Sequence, residues 1–235
     1  MKAGLASSYW EVGDSKAVTL NGGVGTLTFS NETYYAFILG FDHNLLYEGT
    51  NKLHMAFGKT ADGKDIAFCD AAYGLSGEGA IFHINPNETN SGGWANSYMR
   101  NTICSQFYNA LPSDLRGVIT ACTKYSDNTG GGNNIASYVT ETSDNIWLLS
   151  EFEVQGTRTK ANSVELNFQT QYDYYKNGNS KVRYQHNNTN KAITWWLRSV
   201  FANDIDNFCV VYVGGDAGDV NVLYSCGLAP CFVIG

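Results

Sequence analysis

The chain's reactive inventory is small: four histidines (43, 54, 83, 186), six cysteines (69, 104, 122, 209, 226, 231) and 22 carboxylates. None of these groups falls into a catalytic signature. GxSxG, HExxH, P-loop and GxGxxG spacings are absent, and so is a CxxC pair that would hold structural zinc. In Gly40-Phe41-Asp42-His43-Asn44 a carboxylate stands beside an imidazole, the pairing general acid–base chemistry uses. The same residues after a strand commonly form a turn with local side-chain hydrogen bonds. Asp204-Ile205-Asp206-Asn207 and residues 216–219 offer the hard oxygens calcium prefers, but the Gly and Glu of an EF-hand loop are missing. The reading is therefore a non-enzyme with no catalytic residue, no metal ligand and no cofactor. Isolated cysteines of this kind read as small buried thiols.

Trp195-Trp196-Leu197-Arg198-Ser199 is more specific. Adjacent tryptophans on a strand point to opposite faces, so at least one is buried. An arginine in the same strand then needs a carboxylate partner, and Glu151 and Glu153 are the candidates.

Many short strands position these groups. Strand-like runs occupy 34–39, 52–57, 65–68, 118–123, 146–149, 195–198, 208–213 and 229–234, with alternation over 52–57. Ala95, Met99, Ile103, Phe107 and Leu111 recur every four residues and predict one helix, stopped by Pro112. Ser150-Glu151-Phe152-Glu153 has capping-box spacing and predicts a second, short helix ended by Gly156. Residues 127–134, with three successive glycines, are the most loop-like. The class is α+β: short antiparallel strands, one or two helices and long loops, in a single domain over 1–235.

Charged residues make up 16% of the chain, against about 25% in an average domain, and asparagine (24) and glycine (25) replace them. A net charge of −7 argues against a nucleic-acid partner. No apolar run reaches the length of a membrane span. The opening Met1-Lys2-Ala3-Gly4 lacks the apolar core of a signal peptide and reads as a cut from a longer chain.

Residues 200–226 contain no Lys, Glu, Gln, Met or Trp, although those types supply 32 residues of the chain. The residues present are Asn, Asp, Tyr, Val, Ile, Phe, Gly, Ser, Cys, Leu and Ala. Every one is encoded by AAC, by AAC with its adenines changed, or by a close relative of it; the missing five are not. This is a regularity of the genetic code rather than of folding.

With Trp195–Ser199, the residues Asn207-Phe208-Cys209-x-Val211, Gly215-x-Ala217 and Gly227-Leu228-Ala229-Pro230-Cys231-Phe232-Val233-Ile234 resemble the variable proteins of diversity-generating retroelements found on gut bacteria and phages. Trp10-Glu11-Val12-Gly13-Asp14, residues 40–44, Trp94-Ala95-Asn96-Ser97-Tyr98-Met99-Arg100 and residues 144–156 extend the likeness over most of the chain.

The resemblance implies a C-type lectin fold, related to the phage major tropism determinant and to formylglycine-generating enzymes. N-terminal strands would occupy about 1–60 and a variable region about 195–235. It implies that error-prone reverse transcription at adenines rewrites the C-terminal segment while the scaffold stays fixed. Trp195, Leu197, Arg198, Phe208, Val211, Gly215, Ala217, Gly227 and Pro230 would be scaffold. The ligand-facing set would be Phe201, Asn203, Asp204, Asp206, Val210, Tyr212, Val213, Asp216, Asp219, Val220, Asn221, Val222, Tyr224 and Cys226. Also rewritten would be Val200, Gly214, Gly218 and Leu223. The implied partner is an unidentified protein or glycan on a cell surface, met from a virion tail or a bacterial surface. Two other readings stay open: a non-diversified adhesin domain of the same fold, and an oxidase of the formylglycine-generating type using Cys226 and Cys231.

Overall fold

The computed structural model describes residues 3–70 and 81–235, so Met1-Lys2 at the chain's start lies outside it. After a 3-10 turn (Ala3–Ser8), β1 (Ser15–Val24) and β2 (Leu27–Phe41) form a long hairpin. A one-turn helix α1 (Leu45–Glu48) leads into β3 (Leu53–Lys59), followed by β4 (Ile66–Ala67). The helical stretch comprises α2 (Gly93–Asn96), a π-helical turn (Met99–Cys104), α3 (Ser105–Ala110) and α4 (Ser113–Arg116). Then come β5 (Ile119–Thr120), β6 (Cys122–Asp127), β7 (Val139–Asp144), α5 (Glu151–Gln155) and α6 (Asp173–Lys176). The last strands are β8 (Arg183–Gln185), β9 (Asn188–Ile193), β10 (Trp195–Val200), β11 (Asn207–Val211), β12 (Ala217–Asn221) and β13 (Cys231–Ile234).

These strands build small sheets, almost wholly antiparallel, and the architecture is α+β. The largest has the order β1-β2-β3-β13-β5, so a strand late in the sequence lies in its interior. A second sheet runs β10-β11-β12, a third β4-β8-β9 with β4 and β8 parallel, and β6 pairs with β7. Buried side chains from Ala6 to Val233 form one cluster, into which four tryptophans (94, 147, 195, 196) are fully sunk. Among the described residues no helix is long and apolar enough to cross a membrane.

Several expected elements form differently. The stripe 95–111 is not one helix. At Ser97 the backbone is extended, and the Tyr98 and Met99 amides bond to Asn85 Oδ1 and Ile84 O instead of to a preceding helical turn. Tertiary acceptors thus interrupt the helix, which resumes through the π turn. Met99, Ile103, Phe107 and Leu111 are buried as the spacing implies, whereas Ala95 is half-exposed. Pro112 does end α3, with Leu111 already extended.

Residues 146–149 make a single bridge, Trp147 with Cys231, because the carbonyls of Leu148 and Leu149 accept from Arg198. The run 118–123 divides between β5 and β6, which lie in different sheets. β3 does not alternate: Leu53 to Gly58 are all buried, since both faces are covered. The α5 capping box forms fully, Ser150 Oγ accepting from the Glu153 amide while Glu153 accepts from the Ser150 amide. Gly156 closes α5 in the left-handed region (φ 71°), where a side chain would be strained.

Candidate functional site

Two features meet at the β10-β11-β12 sheet: a charged network beneath it and a polar surface on its outer edge. Trp195 and Trp196 are both fully buried, so β10 is covered on both faces. Their indole N–H groups donate to Lys181 O (3.0 Å) and Phe82 O (2.8 Å). Arg198 pairs with Glu153, not Glu151, through two hydrogen bonds of 2.5 and 2.9 Å. Its remaining donors reach Ser126 Oγ and Leu148 O. Glu151 instead accepts the amides of Thr159, Lys160 and Ala161, organising the loop after α5.

The Glu153 pair extends inward. Lys124 Nζ lies 3.3 Å from Glu153, 2.8 Å from Glu48 and 2.9 Å from the Tyr172 hydroxyl. Burial pushes the Glu48 carboxyl up, but the Lys124 charge and the His43 hydrogen bond overcome it and hold Glu48 at about 2. Burial likewise opposes ionisation of Glu153, which Arg198 and Lys124 together keep well below the usual range. Burial and the Lys124 charge hold His54 neutral. Glu165 lacks a direct cationic contact, and burial raises it to about 7 despite hydrogen bonds from Ser199 Oγ (2.6 Å) and the Asp127 amide (2.9 Å).

His43, Glu48 and His54 bring their ligand atoms within 4.8 Å of one another. Lys124 already supplies the cation there, and both ring nitrogens of His43 face acceptors, Glu48 and Thr170 O. The Asp42-His43 pair is therefore part of the scaffold, with Asp42 accepting the Lys52 amide.

The outer edge is different. Asn203, Tyr212, Val213, Asp216 and Tyr224 are exposed, and Phe201, Asp204, Asp206, Asp219, Val220 and Asn221 are half-exposed. They stand on the turns flanking β11, on β12 and on the loop after it. Thr194, Asn207, Asp219, Val220, Asn221, Tyr224 and Cys226 line a shallow depression of about 460 Å³. Asn207 donates to Asp219 (2.9 Å), Asn221 donates to Asp206 (3.0 Å) and Glu88 (3.1 Å), and Lys160 pairs with Asp219 (2.8 Å). Partial burial, then the hydrogen bond and charge of neighbouring Asp204, raise the Asp206 carboxyl. The Tyr212 ring lies flat over Gly218, where a Cβ would sit 2.0 Å from the ring, and its hydroxyl donates to Asp219 O (2.9 Å).

Three of the expected ligand-facing residues are buried. Val210 is fully buried because both faces of β11 are covered, Phe208 to Val211 all being buried, and Val222 is fully buried where its backbone bonds to Ile84 and Asp206. Cys226 is 3% exposed and contributes only to the depression's floor. Val200 is buried in β10, and Gly218 is buried beneath Tyr212.

Conversely, Ile205 was missed. It is 64% exposed on the turn between β10 and β11, and its residue type is itself reachable from AAC. Thr194, Asn207, Glu88 and Lys160 join the surface from outside the expected set, and only folding brings Glu88 and Lys160 to it. All six cysteines are free and buried. Burial pushes the Cys226 and Cys231 thiols up to about 12, far from the thiolate that redox chemistry requires.

The fold and this edge define a small α+β protein whose polar, tyrosine-bearing surface is carried on a strand edge and loops. The chain belongs to the family described as a domain of unknown function (DUF6273), whose model matches residues 76–235. No curated protein and no solved structure matches it.

Proposed function

We propose that this protein is a recognition module with a C-type lectin fold, a variable protein of a diversity-generating retroelement whose C-terminal segment binds a ligand. One observation carries the reading: the segment with the restricted residue alphabet is also where large apolar side chains are left in solvent. Of the eleven exposed large hydrophobics among the described residues, Ile205, Tyr212, Val213 and Tyr224 fall within 200–226. Exposed aromatic and aliphatic groups among hydrogen-bonding ones are the composition of a recognition surface. The residues assigned to the scaffold are all buried or half-buried beside them, Gly215 in the β11–β12 turn and Ala217 at the start of β12 included.

Binding rather than catalysis is supported by the deep burial and pairing of the network's strongly shifted acids and bases. A cell-surface protein or glycan is the ligand class, displayed from a virion or a bacterial surface. The test is the flanking DNA. A second copy of the coding segment for residues 195–235, differing at adenines and lying beside a reverse transcriptase gene, is the expected finding. Mismatches spread over all four bases would instead make this a fixed adhesin domain.

A further inference from the structure

We infer that a second binding site, for a neutral saccharide, lies between the π-helical turn and the end of β7, in a cleft of about 370 Å³ that shares no residue with the C-terminal depression. That volume is within the range of small-molecule sites. Asn101, Ser105 and Asn109 enter the cleft from the helical side, spaced four apart on one stripe, and Ser143 and Asn145 enter from the strand side. All five are exposed, uncharged and able to hydrogen-bond. An exposed helical stripe is ordinarily filled with Lys, Glu or Ala. Asn and Ser are weaker helix formers than those, so the stripe is ill suited to a merely structural role.

The cleft's floor is preorganised. Arg100 donates to Asp144 (2.6 Å), Ala95 O (3.0 Å) and Asn101 Oδ1 (3.2 Å), and Asn101 Nδ2 donates to Ala95 O (3.2 Å); Asp144 also accepts from the Trp94 indole (3.1 Å) and Thr142 Oγ1 (2.8 Å). Among the described residues lining the cleft the full charges are this opposite pair, which suits a ligand without net charge. Arg100, Asn101 and Cys104 all belong to the π turn, a rare geometry common at functional sites. The half-buried Tyr108 ring supplies an aromatic wall, its hydroxyl already donated to Arg116 O. Amides and hydroxyls around one aromatic ring, with no net charge, are the complement of a sugar's hydroxyls and C–H face.

The experiment is an amide-resolved NMR titration of the full chain with glucose, galactose, mannose, fucose, N-acetylglucosamine and N-acetylgalactosamine. Each is used at about 10 mM, enough to load a site with a Kd near 1 mM. At least one sugar is expected to shift the amides of Asn101, Ser105, Asn109 and Asn145. Asn109→Ala with Asn145→Ala, two exposed cleft side chains with no hydrogen bond among the described residues, should weaken that binding at least about tenfold while leaving the melting temperature unchanged. No shift at these amides with any of the six sugars overturns the inference, as does binding that survives the double variant. Shifts confined to Asp219–Tyr224 would also overturn it, assigning sugar binding to the C-terminal edge and leaving the proposed function intact.

Discussion

Beneath β10, Glu48, Lys124, Glu153 and Arg198 are at most 4% exposed, and each charge meets an opposite one within 3.3 Å. A few residues along the chain, Asn203, Val213 and Asp216 stand in solvent on turns, with no hydrogen bond binding their side chains to the core. The two regions share one small sheet, yet each tolerates a different kind of change. A buried ion network adds little net stability over apolar packing, but losing a single member leaves an unpaired charge in the core. Such a network fixes the position of β10, and the turns on either side of β11 are then free to vary.

The sharpest way to break this contrast is Arg198→Ala, which leaves buried Glu153 only the longer contact with Lys124. A loss of about 3–5 kcal/mol is expected, seen as insolubility or a large fall in melting temperature. Val213→Ala should stay within about 0.5 kcal/mol of the parent chain. Similar effects from the two would erase the distinction.

A second prediction concerns pH. Glu165 ordinarily titrates near 4.5 and here near 7, so between those values the folded state keeps a proton that the unfolded state has released. Its contribution to stability therefore falls as pH rises through that window and stays low above it. Glu48 runs the other way, contributing stability above about 4.5 that is lost as pH falls towards 2. Neutral His54 also costs stability as pH drops below 6.5. The difference between Glu165→Gln and the parent isolates the first effect. Relative to the parent, the variant should gain up to about 3 kcal/mol between pH 4.5 and 7, measured by denaturant unfolding.

A smaller effect tests the outer region alone. Gly218→Ala displaces the Tyr212 ring and breaks its bond to Asp219 O, at a cost of about 1 kcal/mol. Tyr212 ring-proton shifts should move to solvent-exposed values. An unmoved ring would mean that its posture does not depend on position 218.

The α5 capping box, the burial of at least one of the adjacent tryptophans and a carboxylate partner for Arg198 were legible in the sequence because they are local or chemically obligatory, whereas burial of both tryptophans depends on what covers each face of β10. The interruption of the helix at Ser97 was not, since its cause is Asn85, distant in sequence and present only after folding. The charged network was invisible for the same reason: Glu48, Lys124, Glu153 and Arg198 come from four separate elements. In the C-terminal segment a residue alphabet marks a stretch of chain, and burial then sorts it. Val210 and Val222 face inward because both faces of β11 are covered and the loop after β12 turns its valine into the core, neither of which an alphabet encodes. Ile205 points outward for the complementary reason, on a turn where an aliphatic residue is unexpected.

The place of β13 has a consequence for synthesis. It follows residues 200–226 in sequence but lies between β3 and β5 in space, so the main sheet closes only after that stretch has left the ribosome. A frameshift or stop codon within residues 200–226 would remove the strand that joins β3 to β5 and leave both edges unpaired. Completion of the core thus reports on the reading frame: only a chain translated in frame through residues 200–226 supplies β13.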